Sequence, residues 1–172
     1  EKNLSHLSLL NHVKNDIQTL KDEGLTLVIV SSETDVLGIF GLSDEVRTES
    51  KPLISALMKA GIQETVMLTG DHEQTARKVA DQLGISAVYS NLLPEQKVEK
   101  LQSLMNQGKI VAMVGDGIND APALAVSDVG IAMGKGTDSA IETADVVLMQ
   151  DHLNKLPDAI RIARKVNRLI KI

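Results

Sequence analysis

The stretch that decides the fold is IVAMVGDGINDAPALAVSDVGIAM, Ile110 to Met133. It opens on an uninterrupted apolar run, Ile110 to Val114, of the kind that fills a buried strand. A polar turn follows, Gly115-Asp116-Gly117-Ile118-Asn119-Asp120, and then a short helical segment around Ala121 to Ala125. A second apolar run, Val129 to Met133, closes the unit. Continuous apolar strands joined through helices indicate a parallel sheet covered on both faces, because an antiparallel sheet with one wet face would alternate.

The same alternation extends in both directions. Toward the C-terminus come a helix near Asp138 to Glu142 and a strand from Val146 to Met149. Toward the N-terminus, Pro94 opens a helix reaching about Asn106, and Gly108 stops it. Before that lie the short strand Ala87 to Tyr89, a helix from Glu73 to Gly84, the strand Thr65 to Leu68, and a helix over Lys51 to Lys59 with Pro52 in its first turn. Right-handed crossovers make a doubly wound, Rossmann-like parallel α/β sheet the natural topology. The first residues read differently. Leu7, Leu10, Val13, Ile17 and Leu20 have helical spacing, and LTLVIV from Leu25 and VLGIFGL from Val36 form a β-hairpin around polar SSETD. The boundary between the two patterns falls near Ser43 to Arg47.

Composition limits the function. Hydrophobic residues make up 43% of the 172, but aromatics only 1%, Tyr89 and Phe40, so the core should be aliphatic, and so few aromatics argue against base-stacking surfaces. The net charge of -5 disfavours nucleic acid as a partner. There is no Cys, hence no disulfide framework, thiolate metal site or Cys nucleophile. No apolar run approaches the roughly 20 residues needed to span a bilayer. Charge is uneven, however. Arg161, Arg164, Lys165, Arg168 and Lys171 stand against Asp158 alone, giving +4 over residues 158–172 and leaving -9 for residues 1–157. Such a basic segment suits a solvated helix face or a juxtamembrane cytoplasmic helix, and its end at Ile172 without a stop signal reads as truncation.

Ligands of open α/β sheets bind at the carboxyl ends of the strands, and polar signatures fall at those ends. In GDGIND two glycines let the backbone turn around Asp116, and Asp120, four residues on, can face the same pocket. Two hard carboxylates suit Mg²⁺, which keeps waters and borrows phosphate oxygens. An isolated Asp-Gly would read as a turn and helix cap, but ten consecutive residues, GDGINDAPAL, after an apolar strand point to a site. After Leu68 comes Thr69-Gly70-Asp71, a hydroxyl beside backbone N–H groups, which is what a phosphoryl group needs. By itself it reads equally well as a capped strand-end turn. Lys97, in PEQK, is a point charge able to hold a phosphoryl group and a carboxylate together, although an isolated helix Lys is ordinarily solvated.

In this order, the three motifs resemble the haloacid dehalogenase superfamily, and more narrowly the P-type ATPases. MLTGDHEQTARKVADQLGI, LLPEQKVEKLQ and VAMVGDGINDAPALAVSDVGIAMGKGTDSAIETADVVLM match that family almost continuously, over residues 25–172. GTDSAIETADVVLM is similar to the heavy-metal branch, and DHLNKLPDAIRIARKVNRLIKI to zinc, cadmium and cobalt transporters more than to copper pumps. The resemblance implies a haloacid-dehalogenase-type sheet for residues 44–157 (the phosphorylation domain), preceded at 1–43 by part of an α+β nucleotide-binding domain and followed at 158–172 by a basic juxtamembrane helix. It implies ATP and Mg²⁺ as cofactors, a location on the cytoplasmic face of a bacterial plasma membrane, and a transported metal held by membrane helices outside this chain. Thr69 would bond the transferred phosphoryl group, Gly70 and Asp71 would lie beside the nucleotide phosphates, and Lys97 would neutralise charge. Asp116 would bind Mg²⁺, Asp120 would support the site, and Asn119 would orient the acidic loop.

Two departures from the family pattern matter. No DKTG or DxDxT occurs, so the phosphorylated aspartate is missing, together with the strand that carries it. None of His6, His12, His72 and His152 precedes a proline, so the adenine-holding His-Pro pair is missing too. The chain alone is therefore expected to form no acyl-phosphate, and loss of the central strand should leave two sheet edges open to association. His72 stands where Asn is commoner and reads as a helix-start residue at the pocket rim. The competing readings are a fragment of a soluble haloacid-dehalogenase-type phosphatase and a non-catalytic Mg²⁺- or phosphate-binding module. An upstream DKTGT flanked by apolar 20-residue segments would separate the pump from both.

Overall fold

The computed structural model of the chain describes residues 11–23, 26–31, 36–42, 46, 50–149 and 152–170. Helix α1 spans Asn11–Asp22, with Val13, Ile17 and Leu20 half-buried on one face. The expected part of this helix before Asn11 lies outside the described residues. Strands β1 (Thr26–Ser31) and β2 (Val36–Leu42) pair antiparallel, with Ile29 opposite Ile39. Along β1 the half-buried Leu27 and Ile29 alternate with exposed Val28 and Val30, which is the period-two signature of a hairpin with one covered face.

The α/β part follows in the order read from the sequence. It runs α2 (Ser50–Lys59), β3 (Val66–Leu68), α3 (Glu73–Leu83), β4 (Ala87–Tyr89), α4 (Pro94–Asn106) and β5 (Ala112–Gly115). A 3-10 turn at Ile118–Asp120 leads into α5 (Ala121–Val126), β6 (Val129–Met133), α6 (Asp138–Thr143) and β7 (Val146–Leu148). A second 3-10 turn, Leu153–Lys155, precedes α7 (Leu156–Ile170). Local signals set the ends. Gly84, at φ 74°, closes α3 in the left-handed conformation, and Pro94 occupies the first turn of α4. At α4 the backbone N–H of Leu93 also donates to Gln96 Oε1 at 2.8 Å.

All described pairings in the α/β part are parallel, as expected, but they form two separate pieces. β3 pairs with β4, and β5 pairs with β6, which pairs with β7. No ladder joins β3 to β5 among the described strands. The Ile110–Val114 run was read as a buried strand, yet β5 begins only at Ala112, Ile110 before it is 88% exposed, and Val114 within it is also exposed. An apolar run shows what a strand could bury, not what is available to cover it.

The core sits under β6. Leu124, Ala132 and Ala140 are 0–1% exposed, with Met113, Ile141 and Ala144 packed against them. Beside them, Ile131, Leu148 and Leu156 collect Leu57, Met133, Leu153 and Ile160. This core is aliphatic throughout. Small Ala side chains let α5 and α6 approach β6 closely, and that fixes the loops at the carboxyl ends of β5 and β6. Arg164 of α7 reaches back to the end of α2, where its guanidinium donates to the carbonyls of Ala60 and Gly61, at 2.5 and 3.2 Å. Among the described residues, no helix is long and apolar enough to cross a membrane.

Candidate functional site

Three segments carry the candidate residues, each at a strand end or helix start. Just beyond β3, the Thr69 backbone N–H donates to the Tyr89 carbonyl at 3.0 Å, continuing the ladder to β4 for one residue. The chain then turns. Thr69 Oγ1 donates to Asp71 Oδ2 at 2.9 Å and accepts from the Asp71 N–H at 3.1 Å. The loop after β4 locks onto this turn. Asn91 N donates to the Asp71 carbonyl at 2.8 Å, and Leu92 N to the Thr69 carbonyl at 3.0 Å. Gly70 lies close under the same loop, where an added Cβ would stand 3.3 Å from the Leu92 carbonyl oxygen. His72 Nδ1 lies 3.2 Å from Asn91 Oδ1, which places this exposed His in a loop contact at the start of α3.

Asn91 is a residue that sequence reading missed. Its φ is 54°, the single positive value outside glycine among the described residues. Asn tolerates this region better than other side chains. The available signal was Asn directly before a Leu-Leu-Pro helix start.

Lys97 and Asp120 form the centre of the site. Lys97 Nζ donates to Asp120 Oδ1 at 2.8 Å, and the two side chains are 14% and 15% exposed. The pair ties the first turn of α4 to the loop after β5. It forms because Pro94 fixes where α4 starts and the 3-10 turn at Ile118–Asp120 swings Asp120 back under Gly115. That approach is tight, since a Cβ on Gly115 would lie 2.7 Å from Asp120 Cβ. Asp116 and Asn119 remain exposed at the rim. The Asp116 backbone is held from the next loop, where Thr137 N donates to its carbonyl at 2.9 Å. Among the described residues, no hydrogen bond joins the Thr69–Asp71 turn to the Gly115–Asp120 segment.

Among the described residues, no cluster of three or more His, Asp or Glu side chains could hold a metal by itself. What is present is one exposed carboxylate, Asp116, and a second, Asp120, already engaged by an ammonium group. That donor set fits Mg²⁺, which takes one or two protein carboxylates and completes its octahedron with water and phosphate oxygens. It does not fit a cation that needs an all-protein cage.

Known proteins resemble the chain in sequence and fold. A family model for haloacid dehalogenase-like hydrolases matches residues 1–128. The chain is 46% identical over 172 residues to a cadmium-transporting ATPase of Staphylococcus aureus, covering 99% of this chain and 23% of that protein. It is 48% identical over 157 residues to a zinc-transporting ATPase of Bacillus subtilis, covering 90% of this chain and 24% of that protein. The crystal structure of a zinc-transporting PIB-type ATPase in the E2.Pi state superposes with a TM-score of 0.78 at 42% identity, covering 95% of this chain and 26% of that one. The chain thus spans about a quarter of the length of the relatives it matches. The likeness also reaches the first residues, beyond the span read from the motifs. With the family model matching well over half of its length, the chain belongs to the haloacid dehalogenase-like hydrolases.

Proposed function

We propose that this chain is part of the cytoplasmic catalytic region of an ATP-driven divalent heavy-metal pump of the zinc and cadmium type, at a bacterial plasma membrane. The observation that carries this reading is the Lys97–Asp120 pair. It places an ammonium group and the acidic loop side by side at the strand ends, where phosphoryl-transfer chemistry needs a fixed cation beside a metal-binding carboxylate. The named relatives supply the direction of the reading, since those at 46% and 48% identity are called cadmium- and zinc-transporting, while a copper-transporting ATPase of Arabidopsis thaliana stands at 40%.

In this reading Asp116 and a Lys97-held Asp120 would hold Mg²⁺, which would supply positive charge to offset that of the phosphate groups. Lys97 supplies the second positive charge, and its contact with Asp120 holds the ammonium in place before a phosphoryl group arrives. Thr69, Gly70 and Asp71 line the phosphoryl side. The Thr69 hydroxyl can exchange its bond to Asp71 for one to a phosphoryl oxygen. Asn119 shapes the acidic loop. The phosphorylated aspartate, the adenine pocket and the ligands of the transported metal belong to other parts of the protein. The partners are ATP and the membrane-bound remainder of the pump, with no nucleic acid.

The test uses the full-length gene product in sealed vesicles. Zinc or cadmium should stimulate ATP hydrolysis and accumulate against a gradient, and Asp116→Asn or Lys97→Met should reduce both by at least 100-fold, about 2.7 kcal/mol of barrier. Metal-independent hydrolysis that survives both substitutions would remove the proposal.

A further inference from the structure

We infer that Gly136 and Thr137 are positioning residues for the metal-binding carboxylate of Asp116. This rests on the metal-binding reading of Asp116 given above. The two residues lie in the turn between β6 and α6, one βα unit beyond the acidic loop. Thr137 N donates to the Asp116 carbonyl at 2.9 Å, and Gly136 N to the Met133 carbonyl at 2.8 Å. Gly136 is packed so closely that an added Cβ would lie 2.8 Å from the Met133 oxygen, 2.9 Å from the Asp116 oxygen and 3.3 Å from Asp116 Cα. All three are backbone atoms, which cannot swing aside as the end of a flexible side chain would.

The clamp is anchored from behind. Gly134 N donates to the Leu148 carbonyl at 2.7 Å, which fixes the start of the turn to β7. Thr137 is the N-cap of α6, with Oγ1 accepting from Ala140 N at 3.4 Å, and Ala140 is fully buried in the core. Asp116 itself is exposed and sits between glycines, so its own segment restricts it little. Its backbone position is set by residues 20 and 21 positions later in the sequence. Groups that orient a metal ligand without touching the metal change metal affinity by about 10–100-fold when altered.

Thr137 offers a clean dissection. Its φ of -69° already suits proline. Thr137→Ala removes the cap hydroxyl and keeps the N–H bonded to Asp116, whereas Thr137→Pro removes both. The experiment titrates Mn²⁺, which takes the same hard-oxygen octahedral ligands as Mg²⁺, into the full-length gene product with inorganic phosphate present. Free Mn²⁺ is read by electron paramagnetic resonance, and melting temperature is recorded in parallel. Gly136→Ala and Thr137→Pro should raise the Mn²⁺ dissociation constant about tenfold or more, Thr137→Ala less than twofold, and Asp116→Asn at least as much as the strongest of these. If Asp116→Asn weakens Mn²⁺ but Gly136→Ala and Thr137→Pro bind as the wild type does, the clamp is wrong and the metal reading stands. If Asp116→Asn binds Mn²⁺ normally, the metal reading falls and the clamp with it. Should Gly136→Ala fail to fold, the difference between Thr137→Pro and Thr137→Ala decides alone.

Discussion

The turn after β3 and the loop after β5 occupy equivalent places, each at the carboxyl end of a short parallel strand, yet they are held in different ways. The Thr69–Asp71 turn is tied by hydrogen bonds among mostly exposed groups, and its partner loop keeps Asn91 at φ 54°. The Gly115–Asp120 loop rests on a close-packed base, where Ala123, Leu124, Ala132 and Ala140 are 0–1% exposed. Packing fixes backbone positions through many small contacts that all resist displacement. A hydrogen-bonded turn in water exchanges its bonds with solvent at little net cost. The loop after β5 should therefore be stiff and the turn after β3 adaptable.

The largest effect should come from the packed side. Leu124→Ala removes a side chain at 1% exposure and should cost about 3 kcal/mol, within the range of about 2–5 for buried leucines. Urea unfolding of the chain measures it, and a loss under about 1 kcal/mol would mean the acidic loop does not stand on that core. The tie between α4 and the acidic loop comes next. Lys97→Met leaves Asp120 unpaired at 15% side-chain exposure and should cost about 1–2 kcal/mol, below the figure for fully buried pairs because water still reaches the carboxylate. A double-mutant cycle with Asp120→Asn should return a coupling above about 0.5 kcal/mol, and additivity would show that the pair holds nothing together.

On the hydrogen-bonded side the effects shrink. Asn91→Ala should cost about 1 kcal/mol by forcing a less tolerant residue to positive φ. Asn91→Gly should recover most of it, since glycine adopts that φ freely. Equal melting temperatures for the two variants would place the importance of Asn91 in its side-chain contact with His72 rather than in its backbone. Smallest of all is the exposed Glu73–Arg77 pair on α3, at 2.7 Å. Glu73→Ala should change stability by less than about 0.5 kcal/mol, and a larger loss in thermal unfolding would show that the start of α3 braces the neighbouring turn.

Much of the molecule was legible because its signals are local. Pro94 and Gly108 bracket α4 in the sequence as they do in space, and Gly84 ends α3 through its own φ of 74°. The hairpin of β1 and β2 could be read from two apolar runs around a polar link. The candidate residues were legible for the same reason, since Thr69, Asp116 and Asp120 follow strands directly. What escaped was pairwise. Nothing in PEQK says that Lys97 meets Asp120, 23 positions away. Nothing in GKGT says that its second glycine abuts Asp116, although two glycines in one short loop hint at a close approach. The exposure of Ile110 could not be read from its own run, because burial depends on what lies opposite.

By itself, then, the sequence determined the order of helices and strands, their approximate bounds, and which polar residues stand at the strand ends. Those follow from backbone preferences and side-chain types acting over a few residues. Tertiary structure alone decided that the parallel strands form two pieces, that Asp120 is held by Lys97 while Asp116 is left facing outward, and that Gly136 and Thr137 clamp the Asp116 backbone. The contacts among these join residues 20 or more positions apart. Such contacts are fixed by how an aliphatic core with small Ala side chains lets α5 and α6 settle against β6, and that packing has no local signature in the chain.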